Sequence, residues 1–198
     1  MKALLRVSFP TALLVCINGC ATTSVEPVSE KLDPDTATTV TVLTRPIELY
    51  SETVRGPASD PFAYIAPFET DKMGERTLFL WVSAPQNSGP LTQPQILCNG
   101  EPLNLQPVSV PADKADGPPS SSATASIDLS QLSLSRAPYS SPVPWSKEWY
   151  FKLPPEGLKC MADATGIALE ARQTGGNPER FSADRKNIAS LDAFTKRY

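Results

Sequence analysis

The chain has 198 residues, 40% of them hydrophobic, which is enough for one ordinary core and does not suggest a polytopic membrane protein. Histidine is absent, which excludes Ser-His-Asp and Cys-His nucleophiles, His-ligated metals and the usual general base near neutral pH. Proline stands at 21 residues and the net charge at −3, so long helices are disfavoured and no overall basic balance exists for nucleic acid.

Residues 1–19 have the parts of a secretory signal: Lys2 and Arg6 as a basic region, an apolar stretch over 7–17, and small Gly19 before Cys20. The order Ile17-Asn18-Gly19-Cys20 resembles the lipobox of bacterial lipoproteins, in which an aliphatic, a variable and a small residue precede the cysteine that receives lipid. An ordinary cleaved signal followed by an incidental cysteine is the alternative. The resemblance implies cleavage before Cys20 and several acyl chains on it, each buried CH₂ worth about 0.8 kcal/mol, so the partner of this end is a membrane. In that family an aspartate after the cysteine retains proteins in the inner membrane. Ala21 stands there, which implies the outer membrane and a domain facing the periplasm. Removing residues 1–19 takes away two cations and no acid, moving the net charge from −3 to −5. Nucleic acid is not an expected partner.

Residues 20–38 are rich in Thr, Ser, Glu and Pro and read as a lipidated start and a solvated tether, leaving 39–198 as one β-rich domain. Residues 39–43 and 47–50 have strand character, separated by Pro46. Residues 62–68 read as a strand interrupted at Pro67. Residues 77–82, Thr-Leu-Phe-Leu-Trp-Val, read as a central strand buried on both faces. Asn99-Gly100 between 95–98 and 101–105 predicts a type I′ hairpin, with Pro102 marking an edge. Residues 107–125 read as an exposed loop of unusual length.

Ile127 and Leu129, then Leu132 and Leu134, alternate with a change of phase that suggests a bulge or a new strand. In the next strand Trp149, Phe151 and Leu153 share the inner face, which puts Tyr150 outside. Residues 158–161 and 166–172 read as two more strands, the second with a composition that also supports helix. Residues 183–195 read as a short helix placing Ile188, Leu191 and Phe194 on one side, or as a loosely held tail. The sum is a mainly β protein, an antiparallel β-sandwich-like single domain with a short C-terminal helix. A true immunoglobulin topology is not expected, since Leu158 stands two residues before Cys160 where that fold has its corner tyrosine.

Cys16 leaves with the leader and Cys20 is claimed by lipid, so Cys98 and Cys160 are expected to form a disulfide in an oxidising compartment. No C-x-x-C spacing supports a redox or zinc pair, and no metal or other cofactor is expected. The local signatures G-x-S-x-G, G-x-x-x-x-G-K-[ST] and S-x-x-K are absent. Glu69 with Asp71 and Glu75, or Asp33 with Asp35, are the acid pairs a carboxylate hydrolase would use, though a charged turn is the ordinary reading of 69–76. Asp113 to Gly117 is too incomplete for a calcium loop. Trp145, after Pro144, and Tyr150 are the candidate contact residues, because aromatic faces anchor protein partners or stack on sugars. Outside its leader the chain is loosely similar to envelope lipoproteins. The expectation is a non-catalytic accessory or scaffold subunit with an envelope protein partner, ahead of a glycan-binding module and then of a hydrolase.

Overall fold

A computed structural model describes residues 26–52, 62–85, 94–108, 129–172 and 178–197. In chain order the strands are β1 (Val28–Asp33), β2 (Thr38–Leu43), β3 (Ile47–Ser51), β4 (Phe62–Lys72), β5 (Glu75–Pro85), β6 (Gln95–Cys98), β7 (Glu101–Pro102), β8 (Gln106–Pro107), β9 (Ser146–Lys152), β10 (Gly166–Arg172) and β11 (Pro178–Asp184). Three α-helices, α1 (Pro155–Asp163), α2 (Arg185–Ile188) and α3 (Leu191–Thr195), and a 3-10 turn at Leu129–Leu132 complete the elements of the described residues. Every pairing is antiparallel, and the path runs β7-β6-β10-β11-β3-β4-β5-β9-β8, with β2 and then β1 branching from β4. The fold is mainly β, a single curled antiparallel sheet with short helices at its C-terminal end.

The branch has a local cause. From Val42 to Ile47 the chain advances five residues while the facing stretch of β4, Phe68 to Ile65, advances three. Pro46 has no N–H to donate in this gap. β2 therefore pairs with the second half of β4 and carries β1, whereas β3 pairs with the first half and carries β11. Pro67 lies on β4 opposite the same gap and does not interrupt that strand, contrary to the sequence expectation. Its carbonyl accepts a hydrogen bond from the Tyr139 hydroxyl at 3.1 Å, and that hydroxyl accepts the Leu43 N–H at 2.8 Å. One phenol thus replaces the ladder bonds that the break removes. Burial holds it protonated, with its pKa raised above the ordinary phenol value.

Both faces of β4, β5 and β9 are buried. On one face Ile65, Leu80, Val82, Trp149 and Phe151 join residues from β10, β11 and the helices in the first core. The curl brings strands from distant places in the sheet order around this core, which gives the sandwich-like character. On the other face Phe68, Phe79, Trp81 and Tyr150 form a second core, covered by Leu132, Leu134 and Tyr139. Trp81 stacks on Tyr139 at 5.2 Å, and Phe68 stacks on Phe79 at 5.2 Å. Each of these aromatics contributes about 1.5–3 kcal/mol on burial. β5 is central and buried on both faces, as its unbroken apolar run predicts.

Two tight turns follow from glycine. Asn99 and Gly100 have φ of 51° and 89°, the conformation a type I′ turn requires, and join β6 to β7 as expected. Met73 and Gly74, with φ of 55° and 89°, join β4 to β5 in the same way.

Several expectations are corrected. β1 lies within residues 20–38, so ordered structure reaches back to Val28 inside the stretch read as tether. Residues 158–161 belong to helix α1, not to a strand. Pro155 opens it at a position where an N–H is not needed, and Leu158, Met161 and Ala162 bury one face at helical spacing. Residues 129–132 form a 3-10 turn that places Leu132 and Leu134 in the second core. The C-terminal segment begins as strand β11 and becomes helical at Arg185, where the Asp184 carboxylate accepts the N–H groups of Lys186 and Asn187. Ile188, Leu191 and Phe194 are buried, as expected. Arg185 ties the helices together by donating to the Ala162 carbonyl and pairing with Asp192 at 3.0 Å. Residues 109–128, with most of the long loop, Ile127 and the Asp113 to Gly117 stretch, lie outside the described residues, as does Cys20.

The Cys98–Cys160 disulfide is present, with a Cα–Cα distance of 6.3 Å. It joins the end of β6 to α1. Beside it the Asn99 side-chain oxygen accepts the N–H and hydroxyl of Thr165, and the Asn99 N–H donates to the Gly166 carbonyl. The α1–β10 turn is therefore held to the β6–β7 hairpin by a covalent bond and three hydrogen bonds.

Candidate functional site

Trp145 occupies a short turn between the cover of the second core and β9. Pro144 fixes its own φ, and the Ser146 N–H and hydroxyl both donate to the Val143 carbonyl, at 3.1 and 2.8 Å. One end of this segment is braced as well. The Ser141 N–H donates to a Glu148 carboxylate oxygen at 2.8 Å, while the Ser141 hydroxyl accepts from the buried Ser83 hydroxyl at 2.9 Å and from the Val143 N–H at 3.2 Å. On this frame Trp145 is 62% exposed. Just beyond it the Lys147 ammonium sits 5.6 Å from the centre of the Trp149 ring. A large aromatic held outward on a braced turn loses little conformational freedom when it is covered.

Tyr150 is not its neighbour on the surface. It is 1% exposed and lies in the second core, within 6.0 Å of the Phe68 ring. The strand alternates as expected, but the outer face is itself covered, so alternation did not mean exposure. Burial, with the nearby Glu148 charge, raises the Tyr150 phenol well above its ordinary pKa. Its hydroxyl and the Trp81 indole N–H, on paired positions of β9 and β5, are buried without a hydrogen-bond partner among the described residues.

The acidic candidates separate. Asp71 pairs with Arg76 at 3.3 Å and accepts the Gly74 N–H at 2.8 Å, so it serves the Met73–Gly74 turn. Glu75 is exposed at the start of β5. Glu69 is 8% exposed and, with Glu156, Arg76, Lys152, Leu78 and Leu153, lines a cleft of about 600 Å³ where β9 leads into α1. The sequence reading did not place Glu156, Lys152, Asn104 or Gln106 near Glu69. The Pro154-Pro155-Glu156 run was the available signal, since it marks a helix start beside the end of β9.

Asp33 and Asp35 border a second cleft of about 470 Å³. The Asp33 carboxylate is committed to Ser135, accepting its N–H at 2.6 Å and its hydroxyl at 2.8 Å. These bonds latch β1 to the cover of the second core. The Ser135 N–H is the main cause that lowers the Asp33 pKa below its ordinary 3.8. A lowered folded-state pKa means that the latch contributes fully above the ordinary carboxylate range and is lost as pH falls through the folded value. Protection of the Ser135 N–H against exchange, relative to its intrinsic rate at each pH, is therefore expected to fall with a midpoint below pH 3.8, and Asp33→Asn is expected to remove that acid transition. A Ser135 protection factor that does not change with pH in the parent protein contradicts the latch.

No group of three or more His, Cys, Asp or Glu side chains is placed to hold a metal ion among the described residues, and none of their helices is long and apolar enough to cross a membrane. Compared with known proteins, the chain matches no family model, no curated protein and no solved structure.

Proposed function

We propose that the chain is a non-catalytic, lipid-anchored accessory protein of the bacterial envelope that binds a protein partner through the Trp145 turn. The observation that carries this reading is Trp145 itself, an exposed indole on a turn braced at Val143 and Ser141. Tryptophan is among the residues that most often dominate binding energy at interfaces. The lipobox resemblance at Cys20 supports the anchor, with the outer membrane facing the periplasm as the proposed address. A disulfide-stapled domain suits an oxidising compartment.

The test uses intact envelopes. Crosslinking and affinity recovery with the parent chain are expected to yield a defined partner that Trp145→Ala loses while its melting curve stays within about 0.5 kcal/mol of the parent. Met73→Ala, at a residue 97% exposed on the β4–β5 turn, is expected to keep that partner. Recovery of the same partner with Trp145→Ala rejects the contact surface. Separately, Cys20→Ser is expected to move the protein to the soluble fraction, and an unlipidated Cys20 in the parent rejects the anchor.

A further inference from the structure

We propose that the cleft between the end of β9 and the start of α1 binds a short peptide whose amino and carboxyl ends are both free. The site is distinct from the Trp145 turn, because Trp145 does not line it. Its volume of about 600 Å³ lies within the range of built small-ligand sites.

The charges of the lining select the ligand. Glu69 and Glu156 supply two carboxylates, Lys152 supplies a cation without an ion pair among the described residues, and Arg76, already paired with Asp71 at 3.3 Å, supplies a second. A phosphate or other anion meets the two acids, and a polyamine meets the two cations. A molecule carrying one charge of each sign is matched at both ends. Glu69 is set in the middle of the sheet, between Thr41 of β2 and Leu78 of β5, and already has an interaction within the protein. It is the ionisable residue among the buried polar ones of the described residues. Lys152 ends β9, between Phe79 and Gln106, and forms no ion pair among the described residues.

The space between the charges suits a peptide backbone. Asn104 and Gln106 each offer an amide donor and an amide acceptor, and Thr77 offers a hydroxyl. Leu78, Leu153 and Pro154 give apolar surface for small side chains. Among the described residues the lining includes no aromatic ring on which a sugar would stack.

The test is titration calorimetry of the full chain with tetra-alanine, alongside the same peptide acetylated at its amino end or amidated at its carboxyl end. Free tetra-alanine is expected to bind, and blocking either end to weaken it by about tenfold or more. Lys152→Ala, at an exposed position, is expected to weaken the free peptide by about tenfold while leaving the amidated peptide unchanged, because the cation no longer meets a carboxylate. Glu69→Gln is expected to act in the same way toward the acetylated peptide. Should Glu69→Gln fail to fold, Lys152→Ala decides the matter alone. No binding of tetra-alanine at about 10 mM, equal binding of the blocked peptides, or equal weakening of free and amidated peptide by Lys152→Ala overturns the proposal. Trp145→Ala is expected to leave tetra-alanine binding unchanged, so failure here and failure of the partner surface are read separately.

Discussion

Replacing Cys98 and Cys160 together by alanine is expected to lower the unfolding free energy by about 4 kcal/mol, the loop-closure value for their separation of 62 residues. The bridge does more than restrict the unfolded chain. Helix α1 starts without a side-chain cap, has only nine residues, and rests on the first core through Leu158, Met161 and Ala162. Such a helix depends on packing for its existence, because isolated helices this short are unstable in water. Loss of the bridge leaves the Asn99 bonds to Thr165 and Gly166, and the ladder between β6 and β10, as the ties at this point. For a domain of this size the melting temperature is expected to fall by roughly 8–15 °C. Urea unfolding of the parent protein in strong reductant should then match the double variant without reductant. A loss below about 1 kcal/mol in both shows that the bridge does not contribute as argued.

Tyr150→Ala is expected to destabilise by about 3–5 kcal/mol, as for deletion of a large buried aromatic. Its ring fills the second core beside Phe68, in an interior packed closely enough that its removal leaves a cavity. Tyr150→Phe is expected to behave oppositely. The ring stays, and the buried hydroxyl that finds no partner among the described residues is removed, so stability should stay within about 1 kcal/mol of the parent or rise. The same chemical change at Tyr139 provides the contrast. There the hydroxyl joins Leu43 to Pro67, and Tyr139→Phe leaves a buried N–H and carbonyl unmet, at a cost of about 1–3 kcal/mol. Urea unfolding of the three variants decides between these roles. A Tyr150→Phe loss as large as that of Tyr139→Phe would mean that the Tyr150 hydroxyl is satisfied and does structural work. This result also bears on partner binding: Tyr150→Ala disturbs the core and says nothing about a contact surface.

Some of the site was legible and some was not, for identifiable reasons. Pro144 before Trp145 pointed to an exposed aromatic, and the turn at Val143 and Ser146 delivers it. Tyr150 was misplaced because alternation along β9 reports which face a residue occupies, not whether that face is covered. The cover comes from Leu132, Leu134 and Tyr139, which are local in sequence neither to β5 nor to one another's targets. The cleft was hidden for a similar reason. Glu69 and Glu156 are 87 positions apart in the numbering, and only the pairing of β4 with β5 and β5 with β9 brings their elements together.

Local chemistry by itself determined the β-rich class, the central strand at Thr77 to Val82, the Asn99-Gly100 hairpin and the pairing of Cys98 with Cys160. Each depends on residue types within one short window, or on elimination among a few cysteines. The curl of the sheet, the branch at Pro46 and the second core were decided by tertiary structure. Strand pairing outweighs a weak local preference at Pro67, which stays inside β4, whereas helix α1 has a local start at Pro155 and takes from the tertiary structure the core that buries Leu158. The physical reason is that burial is a property of two surfaces meeting, and a sequence window contains only one of them.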